Sequence, residues 1–479
     1  MTDPDLFRTR LDQMIDLRHP LAVLATRIDW AAIEAKLAPL FARAPRAGRP
    51  LTDADLFGEP AVVGGGVSTA GRPRLPIRLM VSLLYLKHAY NESDESVCAR
   101  WAENVVWQFF SGMTHYQPRL PCDPTQIGRF RRVLGEAGVE ELLATTIETA
   151  VALDAVQPAE FAEVLVDTTV QEKAVAYPTD SRLLEVARAK IAQLARQAGI
   201  ELKQSYAKEG KALRRKAGGY AHAKQYKRLR KVLKRQRTIL GRLLRDVQRK
   251  LDALPEAVQA QLQVWLERAE RIRIQKPKDK GKLYALHAPE VECIGKGKAR
   301  QPYEFGVKVG VAVTARQGLL VGARSFPGTP YDGHTLAEQL EQATILLEGV
   351  GVKPEVVSAD KGYRGVDAAI APAVLWHPGK WKTADAAQRD LIKRRSAVEP
   401  AIGHAKADHG MHRCWLKGAE GDALHAVLCG AGYNIRWLLR AIARLGIRAV
   451  FLCRMLARLW SAILRSMPSA NRLTGQCVG

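Results

Sequence analysis

The sequence predicts an α/β protein with a mixed sheet core, a helical N-terminal region and a basic helical insertion after the first core strand. In the second half of the chain, predicted apolar strands alternate with segments whose apolar residues recur at helical spacing. One further strand, at 160–167, is separated from these by a strongly basic segment at 181–280. At 479 residues the chain is too long for one core, so we expect two or three domains.

The charge of the chain indicates a polyanionic partner. The net charge is +24 and the pI is about 9.9, and nucleic acid is the commonest partner of such a protein. A soluble basic protein without such a partner is the alternative. The seven cysteines are scattered and form no CxxC pair, which is typical of reduced thiols in a cytoplasmic protein. No apolar signal segment opens the chain, which also favours the cytoplasm.

Residues 1–150 are predicted to form a helical N-terminal domain that binds DNA. The segment 74–112 contains one amphipathic helix ending near Tyr90 and a second with Ser93 as its N-cap. A third helix follows Asp123, an N-cap that precedes a proline. A helix-turn-helix and an ordinary helical packing domain both fit this pattern.

The strand at 160–167 ends in a carboxylate, Asp167, and opens the first part, 160–180, of a predicted core. Burying a charge at the end of an apolar strand is costly unless something compensates it. The second part of the core, 281–440, contains a predicted hairpin at 303–326, a helix at 333–350 and a strand ending at Asp360. A short strand at 373–377 and a helix at 386–410 follow.

The insertion at 181–280 holds 28 Lys and Arg against 9 Asp and Glu, a net +19. Apolar residues between 228 and 251 recur as one stripe on a helix. Ala217-Gly218-Gly219 and Pro255 are expected to divide the insertion into three helices. We expect its basic residues to contact DNA phosphates, although a solvated charged face is the alternative. The candidates are Arg228, Arg230, Lys231, Lys234 and Arg235.

Three acids are candidates for one site. Asp167 and Asp360 would meet at one edge of the sheet if their strands are adjacent and parallel. Glu399 lies on the helix that follows. Converging carboxylates repel and raise each other's pKa, and a hard divalent cation such as Mg²⁺, with Mn²⁺ as a substitute, relieves this repulsion. Two such ions would support phosphodiester chemistry.

Several stretches carry a family resemblance that covers roughly 70 to 440. Two of them, "RLMVSLLYLKHAYNESDESVCARW" and "PCDPTQIGRFRRVLGE", resemble the helical N-terminal domain of transposases. Six others, in order, resemble DDE transposases of the bacterial insertion-sequence-five type: "VDTTVQEKAVAYPTD", "HAPEVECIGKGK", "YEFGVKVGVAVT", "PYDGHTL", "ADKGYRG" and "RRSAVEPAIGHAKADHGM".

The resemblance implies a ribonuclease H-like core whose catalytic, metal-binding acids are Asp167, Asp360 and Glu399. It implies Mg²⁺-dependent cutting of double-stranded DNA at the terminal inverted repeats of a mobile element, and joining of the freed 3′-hydroxyl to target DNA. Because two ends are joined, a homodimer on DNA is expected. A nucleoid-associated location follows. A metal nuclease that never joins, an inactive transposase-derived DNA-binding protein and an RNA-binding protein are the alternatives.

The family signature around the glutamate has Tyr, Arg, Glu and Lys at fixed spacings. Arg395, Glu399 and Lys406 match, whereas Ile392 stands at the tyrosine position. Arg395 and Lys406 are expected to hold DNA phosphates, although a simple ion pair between Arg395 and Glu399 is an alternative.

Beside Asp360, Lys361 and Arg364 are further candidates for phosphate contact. Tyr363 between them is compatible with stacking on a flipped base.

Other polar residues receive weaker interpretations. Glu290, Glu292 and Asp332 lie in matching stretches without a derivable role. A zinc site is conceivable at His404, His409, His412 and Cys414, although the spacing fits no usual zinc finger. The tail 441–479 is predicted to be helical. Its apolar part carries five arginines, so no membrane-spanning helix is expected.

Overall fold

A computed structural model describes residues 9–41, 75–295, 302–444 and 460. In these ranges the α-helices are α1 (Leu11–Met14), α2 (Pro20–Ala25), α3 (Trp30–Leu37), α4 (Ile77–Ala89), α5 (Asp94–Glu103), α6 (Val105–Phe110), α7 (Pro124–Ala152), α8 (Asp180–Gln197), α9 (Ala207–His222), α10 (Tyr226–Gln248), α11 (Glu256–Ile274), α12 (Asp332–Leu346), α13 (Ala386–Arg394), α14 (Val398–Ala407) and α15 (Gly418–Arg444). The strands are β1 (Glu163–Glu172), β2 (Glu292–Gly295), β3 (Tyr303–Thr314), β4 (Leu320–Phe326), β5 (Val356–Ser358) and β6 (Val374–Trp376).

The strands form one mixed sheet with β1 in its middle. β1 pairs antiparallel with β3 on one side and parallel with β5 on the other, and β6 extends the sheet parallel to β5. β2 and β4 pair with the far edge of β3. The predicted hairpin is therefore present as β3 and β4. A mixed sheet of this kind with flanking helices is the ribonuclease H-like core that was expected.

The first strand is longer than predicted, and Asp167 does not end it. A 3₁₀ turn occupies Pro158–Ala162, and β1 continues to Glu172, so Asp167 lies in its middle, opposite Val311 of β3. The strand continues because β3 carries a glycine where the two backbones approach closely. A Cβ at Gly306 would lie 1.9 Å from the Gln171 carbonyl oxygen.

The basic insertion has a hydrophobic core of its own. It folds into four helices, α8 to α11, rather than three, and apolar residues such as Leu184, Ile191, Leu243 and Leu266 pack together in their centre. The predicted break at Gly218 and Gly219 is wrong, because both lie inside α9. A glycine pair weakens a helix but does not end it when neighbouring turns are packed.

The N-terminal helices share one core with the sheet. The expected N-caps are present: the Ser93 side chain accepts from Ser96 N, and the Asp123 side chain accepts from Thr125 N. Gly135 bends α7, and the part that follows packs on α15. Asn434 of α15 joins the layers, since its Nδ2 donates to Thr146 Oγ1 of α7 at 2.9 Å and to the Leu320 carbonyl of β4 at 2.8 Å.

The segment predicted as one helix at 386–410 is two helices. α13 ends at Arg394, a 3₁₀ turn covers Arg395–Ala397, and α14 begins at Val398. Pro400 is tolerated because it lies in the first turn of α14, where a backbone N–H has no partner within the helix.

Most of the predicted helical tail lies outside the described residues, which end at Arg444 apart from residue 460. Among the described helices, none is both long enough and apolar enough to cross a membrane.

Candidate active site

The parallel pairing of β1 and β5 brings two of the predicted acids to neighbouring positions. Leu165 pairs with Ser358, and Asp167 and Asp360 each follow two residues later. Asp167 Oδ1 accepts a hydrogen bond from Thr168 N at 2.7 Å. Asp360 caps the 3₁₀ turn that follows β5, and its Oδ1 accepts from Gly362 N at 2.6 Å. Backbone donors therefore orient both carboxylates.

A third acid at this edge is Asp332, for which the sequence suggested no role. It begins α12, and its Oδ1 accepts from Thr168 Oγ1 at 2.9 Å and from Lys308 Nζ at 2.7 Å. It also faces the turn after Asp360: a Cβ at Gly362 would lie 2.8 Å from Asp360 Oδ1 and 3.3 Å from Asp332 Oδ2. The sequence offered one signal for Asp332, its place in "PYDGHTL" at a helix N-terminus, where an acid is favoured. This local signal does not reveal the tertiary contacts that the side chain makes.

The electrostatics of the site follow from this crowding. Burial, together with the charges of Asp360 and Asp332, raises the pKa of Asp167 to about 6. The N–H of Thr168 and the guanidinium of Arg395 act in the opposite direction and offset part of this increase. The charged form of Asp167 is therefore disfavoured in the folded protein.

Glu399 is placed on the second residue of α14, and that helix packs against β1. Its side chain is 63% exposed, and its Oε1 lies 3.9 Å from an Arg395 guanidinium nitrogen. Arg395 therefore contacts Glu399 while its charge acts on Asp167. The ion pair that was the alternative to phosphate contact is present, and Lys406 follows Glu399 by two turns of the same helix.

The residues around Asp360 divide by exposure. Lys361 and Arg364 are exposed, so both can reach a phosphate. Tyr363 is fully buried, which contradicts the idea that its ring stacks on a flipped base. Ile392, at the position where the family signature has tyrosine, is buried as well, so it packs inside the protein.

The candidate basic residues of the insertion lie on α10. Arg228, Arg230, Lys231 and Lys234 are exposed. Arg235 differs, because its Nε donates to Glu209 Oε1 of α9 at 2.7 Å. Four of the five side chains therefore face solvent, while the fifth has an acidic partner.

Two acids that matched the family stretches lie elsewhere. Glu290 Oε1 is 2.9 Å from Lys173 Nζ, and it accepts from Gly418 N at 2.9 Å. Glu292 accepts from Gly328 N and from the Thr329 hydroxyl. These two carboxylates connect loops to the sheet and lie outside the site.

The suggested zinc residues do not converge. His404 pairs with Asp408 at 2.7 Å, His409 Nδ1 contacts the His88 carbonyl at 3.0 Å, and His412 Nδ1 contacts the Lys406 carbonyl at 2.8 Å. The fourth residue, Cys414, is buried, and its sulfur contacts the carbonyls of Leu416 and Gly421. The zinc interpretation of this set is not supported by the geometry.

The donor chemistry of these carboxylates suits a hard divalent cation, since all the donor atoms of Asp167, Asp360, Asp332 and Glu399 are oxygens, which Mg²⁺ and Mn²⁺ prefer. Among the described residues, no three of these acids have their donor atoms within 4.8 Å of one another. Burial and the neighbouring acids disfavour the charged form of Asp167. A cation there would favour the charged form of Asp167.

Comparisons with known proteins show similarity to transposases. A family model described as a transposase DDE domain matches residues 269–435, and one described as a transposase domain matches residues 59–133. The first match includes Asp360 and Glu399 but begins inside α11 of the insertion, so β1 lies outside it.

A protein of Rhizobium meliloti, described as uncharacterised protein ORF8 in the nfe locus, is also similar. It is 39% identical over 222 residues, which is 46% of this chain and 95% of that protein. No solved structure matches the chain.

Proposed function

The chain belongs to the DDE transposase family, and from this premise we propose that it cuts DNA at the ends of an insertion sequence and joins the freed 3′-hydroxyl to target DNA. The observation that carries the proposal is the parallel register of β1 and β5, which makes Asp167 and Asp360 neighbours. The helix that bears Glu399 packs against the same strand. This arrangement of acids supports metal-assisted phosphodiester chemistry.

Asp167, Asp360 and Glu399 would hold the divalent ions, with Mg²⁺ the expected metal and Mn²⁺ a substitute. When bound, such ions supply activation of the attacking oxygen and stabilisation of the leaving oxygen. Asp332 would act as a positioning residue, since it holds Thr168 and Lys308 beside Asp167. Arg395 and Lys406 would hold DNA phosphates near Glu399.

Two regions would bind DNA outside the catalytic core. We assign end recognition to the N-terminal region 1–150 and backbone contact to the exposed basic residues of α10 in the insertion 181–280. The core would comprise 160–180 and 281–440 together with the end of α15, which continues through the first residues of the predicted tail 441–479 to Arg444. Joining two ends requires two active sites, so the active form would be a homodimer on DNA.

Strand cleavage and joining on a labelled duplex that carries the terminal inverted repeat tests the proposal. With Mg²⁺ the wild type should nick the repeat end and form joined product. Asp360→Ala should lose both activities because an oxygen ligand is gone, with a rate loss of at least about 10²-fold. Glu292→Gln, which removes a carboxylate outside the site, is the matched control and should retain activity.

Each alternative has its own outcome. Cleavage without joining would indicate a nuclease, and tight DNA binding without cleavage would indicate an inactive transposase. Preference for RNA with activity unaffected by EDTA would indicate an RNA-binding protein. Cleavage that survives in Asp360→Ala would refute the assignment of the acids.

A further inference from the structure

A second cluster of chemically reactive side chains lies where α4 meets α15, away from the carboxylates. His88 is in the last turn of α4, and His425 and Cys429 lie one turn apart on α15. All three are buried. In the ranges that the structure describes, this is the one group of His, Cys, Asp and Glu whose ligand atoms all lie within 4.8 Å of one another.

The distances in this cluster match those between ligands of one metal ion. Cys429 Sγ lies 3.6 Å from His88 Nδ1 and 3.6 Å from His425 Nε2. A zinc ion holds sulfur at ~2.3 Å and nitrogen at ~2.0–2.1 Å, and a tetrahedral angle then separates the two ligands by roughly 3.6 Å. The sulfur therefore already stands at the ligand-to-ligand distance from both rings.

Both rings of the cluster are buried and neutral. His88 turns Nδ1 toward the sulfur, while its Nε2 is buried without a hydrogen-bond partner. His425 Nε2 donates to Gly410 O at 3.0 Å, a bond that a zinc ion at this nitrogen would replace. Burial lowers the pKa of His425 to about 4 and that of His88 well below its usual value, so both rings are in the neutral form that metal ligation requires.

We propose that His88, His425 and Cys429 bind one Zn²⁺ ion. Imidazole and thiolate together suit zinc, whereas Mg²⁺ prefers oxygen, so this ion would be distinct from the catalytic ones. Binding forms a Zn–S bond and releases the Cys429 thiol proton to solvent. A cavity of about 620 Å³ adjoins the cluster and is lined by both histidines, so a water molecule can take the fourth position.

The nearby charges allow such an ion. Lys87 and Arg131 also line the cavity, and each would repel a cation. Both are paired with Asp94, whose Oδ1 lies 2.8 Å from Lys87 Nζ and 2.8 Å from an Arg131 guanidinium nitrogen. The thiolate of Cys429 would neutralise one of the two charges of the zinc ion. The remaining positive charge faces a cavity whose lining balances three acids, Glu92, Asp94 and Glu95, against three bases, Lys87, Arg131 and Arg413.

The position of the site suggests what the ion would do. It would cross-link α4, from the N-terminal region, to α15, which packs on the sheet. The backbone carbonyl of His88 also contacts His409 Nδ1, in the loop that follows α14, at 3.0 Å. The zinc ion would therefore stabilise the placement of the helix that carries Glu399. This inference does not depend on the proposed transposition activity.

Metal analysis of the full-length protein, purified without chelators, tests the proposal. The wild type should contain about one zinc ion per chain. His425→Gln and Cys429→Ser should each lose most of it and melt at a lower temperature. Cys414→Ser, which alters another buried cysteine nearby, and Asp360→Ala, which alters the catalytic site, should keep the zinc. Zinc retained in Cys429→Ser, or lost in Cys414→Ser alone, would overturn the assignment.

X-ray absorption on the wild-type zinc protein decides the question if the variants fail to fold. One sulfur and two imidazole nitrogens in the first shell are expected. A shell without sulfur, or a wild-type protein that neither contains zinc nor takes it up when Zn²⁺ is added, would refute the proposal. Replacement of zinc by Co²⁺ should give a thiolate-to-metal charge-transfer band, which is absent in Cys429→Ser.

Discussion

At the scale of the residue, Asp167 lies where its charged form lowers the stability of the fold unless a cation is bound. Its carboxylate is largely buried beside two other acids, and its pKa is about 6 instead of 3.8. The folded chain therefore binds more protons here than the unfolded chain between these two pH values. Stability consequently falls as the pH rises from about 4 to about 6, and the loss is complete above that range.

The prediction at this scale concerns Asp167→Asn. The amide keeps the oxygen that accepts from Thr168 N but cannot ionise, so the variant should be more stable than the wild type at pH 8 in EDTA, by about 1–3 kcal/mol. The difference in the free energy of unfolding between the variant and the wild type should be smaller at pH 5. Thermal unfolding at the two pH values measures it. Glu163→Gln, on the same strand, is the control and should unfold like the wild type.

With Mg²⁺ added, the wild type should become more stable than Asp167→Asn. The ion stabilises the folded wild type by binding to it, and the variant lacks one of its carboxylate ligands. A wild type that is at least as stable as Asp167→Asn in EDTA at pH 8 would contradict the electrostatic account.

At the scale of the element, α15 organises the fold. All residues from Gly421 to Ile435 are buried. Lys173, just past the end of β1, binds the first turns of α15. Its Nζ lies 2.8 Å from Asp422 Oδ1 and donates to the Gly418 carbonyl. Further along, Gly432 lets α4 approach closely: a Cβ there would lie 2.5 Å from the His88 carbonyl carbon. This approach also brings His88 to Cys429, one turn away.

Substitution of Gly432 by alanine should therefore separate α4 from α15. The contact is with backbone, which cannot swing aside, so we expect a loss of about 1–3 kcal/mol in the free energy of unfolding. Gly403→Ala, on α14 with open space around the new methyl group, should instead stabilise the chain by about 0.4–1 kcal/mol. Chemical denaturation of both variants tests this. Equal stability of the two would show that the helix contact is not tight.

At the scale of the whole molecule, positive charge is concentrated on a unit with its own core. The segment 181–280 carries +19 of the net +24, and its helices bury apolar residues among themselves. The sheet and the N-terminal helices share a separate core. The exposed basic face of α10 can therefore follow a DNA backbone without disturbing the packing at Asp167.

The salt dependence of DNA binding tests the role of this charge. Lys234→Gln should reduce the slope of log K against log salt concentration by about 0.9, the value for one lost phosphate contact. Arg235→Gln removes a charge that is already paired with Glu209, so its slope should change much less. A slope unchanged in a variant that replaces Arg228, Arg230, Lys231 and Lys234 together would exclude this face of α10 from DNA contact.

Local signals explain what could be predicted from the sequence. The N-caps Ser93 and Asp123, the alternation along β3 and the stripe on α10 each involve residues a few positions apart. Resemblance to the family's short sequence motifs identified Asp167, Asp360 and Glu399 in the same way, since each acid lies in one matching stretch. Boundaries were less reliable, because the length of β1 depends on its pairing with β3, more than a hundred residues later.

The sequence by itself determined the α/β class, the basic insertion and the family. Only the tertiary structure decided that Asp332 joins the carboxylates, that Tyr363 is buried and that α15 is the central helix. α15 contains four glycines, a residue that disfavours helices, yet Gly432 is what admits α4. The meeting of His88 with Cys429 depends on that packing, because contacts between residues so far apart leave no periodic pattern in the chain.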